Sequence, residues 1–337
     1  MKPDLILLGH GSGGKLSHQL LNDLIIPILS QNTQTDQNDA AVLAAPPGRL
    51  AFTTDSFVVD PIFFSGGTIG DLAINGTVND LSMVGARPLA ISVGLIIEEG
   101  LPIPDLQRVL QSMRLAAETA EVSIVVGDTK VVPRGKADKL FINTSGIGVL
   151  DHDYDIRGSL AEVGDKILIN GTMGDHGMAV LACREGLTLD TSIQTDSIAL
   201  NHLVHDLIAQ CGTGVHVLRD PTRGGVATTL KEIALQSEVQ ITLDEAALPM
   251  NPAVAAACSL LGFDPLFVAN EGKLLAFVKA DLADQALRVL AQSPGGQQAA
   301  IIGEVTAKGP GQVRLKTAIG GLRAVEMLAG EQLPRIC

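Results

Sequence analysis

The most nucleophilic side chain in this sequence stands last: "LPRIC" ends on Cys337, a thiol carried on a short segment after a proline. Chain ends are the least ordered parts of domains, which suits a group that must travel rather than one that must pack. Fully extended, the segment "EQLPRIC" would carry the sulfur roughly 23 to 25 Å, enough to pass between a surface and a nearby cleft. Pro334 keeps the segment out of a helix. Arg335 favours thiolate formation or docks the tail, and Ile336 completes it. The other cysteines, Cys183, Cys211 and Cys258, show no C-x-x-C spacing and lie in apolar segments, so they read as reduced, small hydrophobic residues.

A second group of residues is acidic. Asp39 in "NDAAVL", Asp55 in "TTDSF", Asp80 in "TVNDLS" and Asp128 in "VVGDTK" each sit among small residues. Magnesium bound with a nucleotide takes one or two carboxylates together with phosphate oxygens and water. Any one of these aspartates alone also reads as a cap or turn residue, but their recurrence in one half of the chain points to an ATP and magnesium site. Lys130, two positions after Asp128, shares its face in an extended strand and could stabilise phosphate charge. In "ANEGKLLAF", Glu271 could act as a general base with Lys273 beside it, or form a solvated turn. "RDPTRGGVATTL" places Arg219, Asp220 and Arg223 ahead of a helix, to seat an anion or to cap it.

"GHGSGGKL" satisfies the G-x-x-x-x-G-K spacing from Gly9 to Lys15, yet Leu16 stands where a P-loop needs a hydroxyl for magnesium, and Ser17 is one residue late. The P-loop reading therefore fails. What remains is either a flexible loop or a glycine strand, with Gly11, Gly13 and Gly14, whose amides near a helix start attract phosphate. His202 and His205 have the spacing of metal ligands but no third partner nearby, and read as a polar helix face.

The elements that must position these groups follow from periodicity. Leu16, Leu20, Leu21, Leu24, Ile25 and Ile28 predict a helix over 16–29, directly after the glycines. "LAFTTDSFVV", "LAISVGLII", "VSIVVGDT" and "LFINTSGIGVL" predict strands, with helices in "TIGDLAINGTVNDLSMVGA" and "IPDLQRVLQSMRLAAETAE". After a break in "DHDYDIRGSLAEVGD", strands "KILINGT", "QITL", "LLAFVKA" and "AAIIGEV" alternate with helices in "GDHGMAVLACREG", "RGGVATTLKEIALQ" and "DQALRVLAQS". The expected division is 1–150, 151–328 and a mobile tail over 329–337.

With 337 residues the chain has length for two cores. Lys plus Arg number 24 against 37 Asp plus Glu, a net charge of −13, which would repel a nucleic acid backbone. No apolar run reaches the roughly 18 residues of a membrane span, and "MKPDLILLGHGSGG" lacks the pattern of a signal peptide. The expectation is a cytoplasmic protein bound to neither nucleic acid nor membrane.

"HGSGGK", "NDAAVL", "TTDSFVVDPIFF", "GTVNDLSMVGA", "VVGDTKVV", "GDHGMAV", "RDPTRGGVAT", "ANEGKL" and the ending "PRIC" resemble the HypE family of hydrogenase-maturation proteins over essentially the whole chain. That family lies within the aminoimidazole ribonucleotide synthetase and selenophosphate synthetase superfamily. The resemblance implies an α+β fold of two domains, each a mixed sheet with packed helices, and a homodimer paired through its first domains. It implies ATP-dependent dehydration of a carbamoyl group on Cys337 to a thiocyanate, the source of the cyanide ligand of nickel–iron hydrogenase. HypF would supply the carbamoyl group, and HypC with HypD would accept the cyanide. Lys130 and Glu271 would assist catalysis, while Gly11, Gly13, Gly14, Asp39, Asp55, Asp80 and Asp128 would hold ATP, with magnesium on Asp39, Asp80 and Asp128. The family often reads Asp-Asp before "AAVL"; here Asn38 takes the first place. Two alternatives stay open: a non-catalytic ATP-binding scaffold, and phosphoryl transfer of the selenophosphate synthetase kind, whose reactive residue in the glycine loop is absent here.

Overall fold

The computed structural model describes residues 4–29, 40–44, 46–187, 193–328, 330, 333 and 335–337. Asp39, Asn38 and Pro334, singled out above, lie outside the described residues. The first helical stretch is α1 (Lys15–Leu20) and α2 (Ile26–Leu29), joined by a π-helical turn over Leu21–Ile25. The predicted helix is thus present but widened. Pro27 explains it, because its missing N–H and its ring displace the turn before it.

Four long strands build the first sheet: β1 (Arg49–Phe57), then, after the short pair β2 (Phe63–Phe64) and β3 (Gly67–Thr68), β4 (Arg87–Glu98), β5 (Ser123–Val132) and β6 (Leu140–Leu150). Their order is β1-β6-β4-β5, antiparallel except for the parallel β4/β5 pair. Helices α3 (Ile69–Met83) and α4 (Ile103–Thr119) cover one face. Thr68 caps α3 by accepting from the Gly70 and Asp71 amides, and Asp71 answers with its carboxylate on the Thr68 amide.

Residues 151–165 carry neither helix nor strand and are held by the Arg49–Asp155 and Arg87–Asp151 ion pairs. Beyond them come β7 (Lys166–Ile169), α5 (Asp175–Arg184), α6 (Asn201–Cys211), β8 (Val215–Arg219), α7 (Gly225–Ser237), β9 (Val239–Asp244), α8 (Pro252–Leu261), β10 (Leu275–Val278), α9 (Ala283–Gln292), β11 (Ala300–Lys308), β12 (Gln312–Lys316) and β13 (Leu322–Val325). The second sheet has seven strands ordered β13-β12-β9-β11-β7-β10-β8, with only β12/β9 parallel. Both halves are mixed α+β layers, as the sequence predicts. No described helix is long and apolar enough to cross a membrane.

The two halves meet along α3, which is buried on nearly every side. Thr77 faces the first sheet and bonds Thr144, whereas Asn75 and Asn79, one turn apart, face the second half and reach Ser197, Ile198 and Glu271. Asn75 and Asn79 survive in this helix because each finds a partner across the boundary.

Candidate active site

Alternation along β1 turns Thr53, Asp55 and Phe57 toward α3 and Thr54 and Ser56 away from it. Thr53 Oγ1 donates to Asp80 Oδ2 at 2.7 Å, which fixes the α3 carboxylate against the strand. Burial pushes both Asp55 and Asp80 above the usual carboxylate range; Asp80 pushes Asp55 further, and Arg223 opposes the shift in both.

The second half supplies the facing wall. After β8 the chain turns through Asp220 and Arg223 into two glycines with positive φ, Gly224 and Gly225. A Cβ at Gly225 would lie 2.5 Å from the Leu266 carbonyl oxygen, so only glycine permits this approach. Arg219 is anchored by Glu232 at 2.9 Å. Asp220 is pushed up to about 6, by burial first and by Asp80 next.

Glu271 lies in the loop before β10 with its side chain buried. Its backbone N–H donates to Asp196 Oδ1 at 3.1 Å and its carbonyl accepts from Asn79 Nδ2 at 3.1 Å. Its Oε1 has no hydrogen-bond partner among the described residues. Burial, then the charges of Asp196, Asp220 and Asp55, raise its carboxyl well above the ordinary range. Asp196 is held below its ordinary value although burial alone would raise it, because Lys273 pairs with it at 2.9 Å.

Cys337 enters this cluster. Its thiol is pushed up to about 12 by burial, by Glu271 and by Asp55, with Arg223 opposing. Ile336 beside it is 3% exposed and joins the core of the first half. The structure therefore gathers Cys337, Glu271, Asp55, Asp80, Asp220 and Arg223 at the boundary between the halves. A buried carboxyl of raised proton affinity is the stronger base once ionised, and within reach of an uncharged thiol it suits proton removal from a group carried on sulfur.

Other predicted residues lie elsewhere. Asp128 aligns with Gly94 and, through it, with Asn143 and Ser56, on the sheet face turned away from α3. Lys130 shares that face and lies 2.6 Å from Asp128, whose carboxyl it holds below the ordinary range. Asp80 and Asp128 thus stand on opposite sides of the first sheet, and Lys130 is not brought to Glu271 within one chain. The glycine loop runs hard against β5, where a Cβ at Gly11 would lie 2.7 Å from the nitrogen and 2.8 Å from the Cβ of Val131, the neighbour of Lys130 whose side chain packs on the core of the first half. Gly13 has φ +79° and donates to Ser17 Oγ at 2.9 Å, and Gly14 precedes α1. His202 donates to the Thr119 carbonyl at 3.1 Å from an exposed position. Among the described residues no three metal-type ligands converge.

Sequence reasoning missed Asn79, Thr195, Asp196 and His176. Only their type gives a signal, since polar residues buried in apolar context need partners.

The matching family models are "AIR synthase related protein, N-terminal domain" over residues 37–150 and "AIR synthase related protein, C-terminal domain" over 162–316. The carbamoyl dehydratase HypE of Rhizobium leguminosarum bv. viciae is 49% identical over 330 residues, covering 98% of this chain and 94% of that protein. This chain belongs to the HypE family of carbamoyl dehydratases. The HypE of Escherichia coli K12 is 45% identical, covering 98% of this chain and 99% of its own. A crystal structure of HypE in complex with ATP superposes with a TM-score of 0.95 at 51% identity, covering 98% of this chain and 99% of that one. A HypE chain from a HypE–HypF complex gives 0.81 at 44% identity, covering 94% and 100%. Thiamine-monophosphate kinase of Stenotrophomonas maltophilia, at 22% identity and a TM-score of 0.64 over 84% of this chain and 90% of that one, shares the fold.

Proposed function

We propose that this HypE-family enzyme carries a carbamoyl group as a thiocarboxamide on Cys337 and dehydrates it to a thiocyanate at the expense of ATP, supplying cyanide for nickel–iron hydrogenase maturation. The observation that carries this reading is the burial of the Cys337 thiol within the field of the buried Glu271 carboxyl. An amide oxygen leaves poorly. Transfer of a phosphoryl group to it, with loss of one N–H proton, gives an imidate phosphate and ADP; loss of the second N–H proton expels phosphate and leaves S–C≡N. Glu271 takes a proton in this scheme, and its elevated affinity for protons matches that task. Arg223, opposed to the acidic groups, stabilises the departing phosphate.

Asp55 and Asp80, with Asp220 behind them, are carboxylates suited to magnesium when nucleotide phosphates complete the coordination, since magnesium takes few protein ligands. The ion would neutralise phosphate charge there. The loop of Gly11, Gly13 and Gly14 beside β5 would cover nucleotide phosphates, and Asp128 with Lys130 offers a second half-site on the outward sheet face. That face also exposes Phe52 by 70%, Leu50 by 62% and Ile96 by 41%, which supports pairing of two copies through it. In such a homodimer Lys130 serves the partner copy's site. HypF is the carbamoyl donor in this reading and HypC with HypD the acceptor, in the cytoplasm, with 1–150, 151–328 and 329–337 as the working units.

Intact-protein mass spectrometry after incubation with HypF, carbamoyl phosphate and ATP tests it. The expected result is an adduct on Cys337 that loses the mass of water only with ATP and is absent from Cys337→Ala. An unmodified Cys337 with active HypF present would leave an ATP-binding scaffold as the better account.

A further inference from the structure

Arg335, Ile336 and Cys337 each have a main-chain oxygen taken by a donor from another part of the fold. Arg184 Nη2 donates to the Arg335 carbonyl at 2.6 Å, His176 Nε2 to the Ile336 carbonyl at 2.8 Å, and the Val58 amide to a carboxylate oxygen of Cys337 at 3.0 Å. His176 and Arg184 lie eight residues apart on α5, two turns along one face. They present donors to consecutive peptide groups.

His176 is the buried member, with no exposed surface. A carbonyl oxygen can only accept, so Nε2 carries the hydrogen and Nδ1, in the neutral ring, must accept. Thr195 Oγ1 lies 2.7 Å from Nδ1 and supplies that hydrogen. Burial keeps the ring neutral by lowering its proton affinity, against the pull of Asp196. Thr195 is itself fixed, its amide donating to the Ser65 carbonyl at 2.8 Å. The next residue, Asp196, accepts from the Glu271 amide. Two adjacent residues thereby hold the histidine that grips the tail and the glutamate whose charge acts on the thiol.

We propose that His176, with its tautomer set by Thr195, is the positioning residue that seats the C-terminal segment, and that with Arg184 and the Val58 amide it forms a receptor for the main chain of residues 335–337. The role in turnover rests on the carrier reading above; the receptor itself does not. Its function is to register Cys337 against Glu271, because a reacting group misplaced by about 1 Å loses on the order of a hundredfold in rate.

The test uses the full chain without ATP or carbamoyl donor. Iodoacetamide labelling is followed by peptide mass spectrometry, with exposed Cys183 as internal reference and buried Cys258 as the monitor of folding. His176→Leu should raise the Cys337 to Cys183 labelling ratio about tenfold, the effect of one lost buried hydrogen bond. His176→Gln, which keeps a donor, should restore most of the protection. An unchanged ratio in His176→Leu with Cys258 still protected overturns the proposal. If Cys258 becomes reactive in that variant, the pair Thr195→Val and Thr195→Ser decides: a raised ratio in the valine variant alone supports the receptor, and equal ratios overturn it. Dehydration of pre-loaded Cys337 should fall in His176→Leu while loading is retained. A wild-type enzyme that failed to dehydrate would sink the carrier reading and leave the labelling result standing.

Discussion

Asn79 on α3 donates from Nδ2 to the carbonyl of Glu271 at 3.1 Å, across the boundary between the two halves. The same amide donates to the Ile198 carbonyl at 3.0 Å, and its Oδ1 accepts the Leu200 amide at 2.8 Å. One buried side chain thus ties the first half to both segments that flank the site. Asn79→Ala leaves several buried main-chain groups unpaired and should destabilise the protein by about 3 kcal/mol, read as a lower urea midpoint. An unchanged midpoint would mean that water replaces the amide.

Glu271→Gln should abolish dehydration of carbamoylated Cys337 while nucleotide binding persists. It should also alter stability. The wild-type carboxyl holds its proton more tightly folded than unfolded, so its contribution is fully present below the unfolded value of 4.5 and is lost as pH rises through the folded value. The glutamine variant lacks that loss and should be the more stable protein at pH 8 in urea titrations. Equal stability at pH 5 and pH 8 relative to wild type would refute the shift.

Asp220 allows a narrower test. Its folded value of about 6 lies above the unfolded 3.8, so folding takes up a proton between them and stability declines as pH rises across that window. Urea midpoints at pH 4, 5, 6 and 7 should show Asp220→Asn gaining on wild type through that range, with no further gain above it.

Arg335 pairs with Asp138 at 2.6 Å, both partly exposed. Exposed pairs contribute up to about 1 kcal/mol and are screened by salt. Asp138→Asn should therefore speed labelling of Cys337 by no more than about fivefold, and high salt should speed the wild type similarly without adding to the variant. Additive effects would place the salt response elsewhere.

The separation of Lys130 from Glu271 by the first sheet makes a complementation experiment decisive. Lys130→Ala and Cys337→Ala should each be inactive alone. Co-folded as mixed dimers they should regain about a quarter of wild-type turnover, because half the dimers are mixed and each contains one complete site. Absence of recovery would place Lys130 in its own chain's site or outside catalysis.

Much of this architecture is legible in the residues. The alternation of "LAFTTDSF" gives β1, and of the small-residue aspartates Asp55 and Asp80 meet at the site whereas Asp128 lies on the opposite face of the first sheet. The π turn at 21–25 is not legible, since periodicity does not report hydrogen-bond shifts, although Pro27 marks the place. Strand β8, "VHVLR", is short and buried except at Arg219, so it has no alternation to betray it. His176 reads as one residue of a helix, and Asp196 falls in a stretch with no pattern. Their roles arise only when segments 75 and 160 residues apart in sequence meet.

The seat of residues 335–337 touches peptide groups and leaves the sulfur to a separate set of neighbours, Glu271, Asp55 and Arg223. Chemical change at the sulfur leaves the main-chain contacts the same in number and kind. Under the proposed chemistry, free thiol, thiocarboxamide and thiocyanate share one anchorage, and the enzyme distinguishes cargo from empty carrier only within the small volume around one atom. Any protein that collects the cargo competes against an anchorage whose strength is independent of the load.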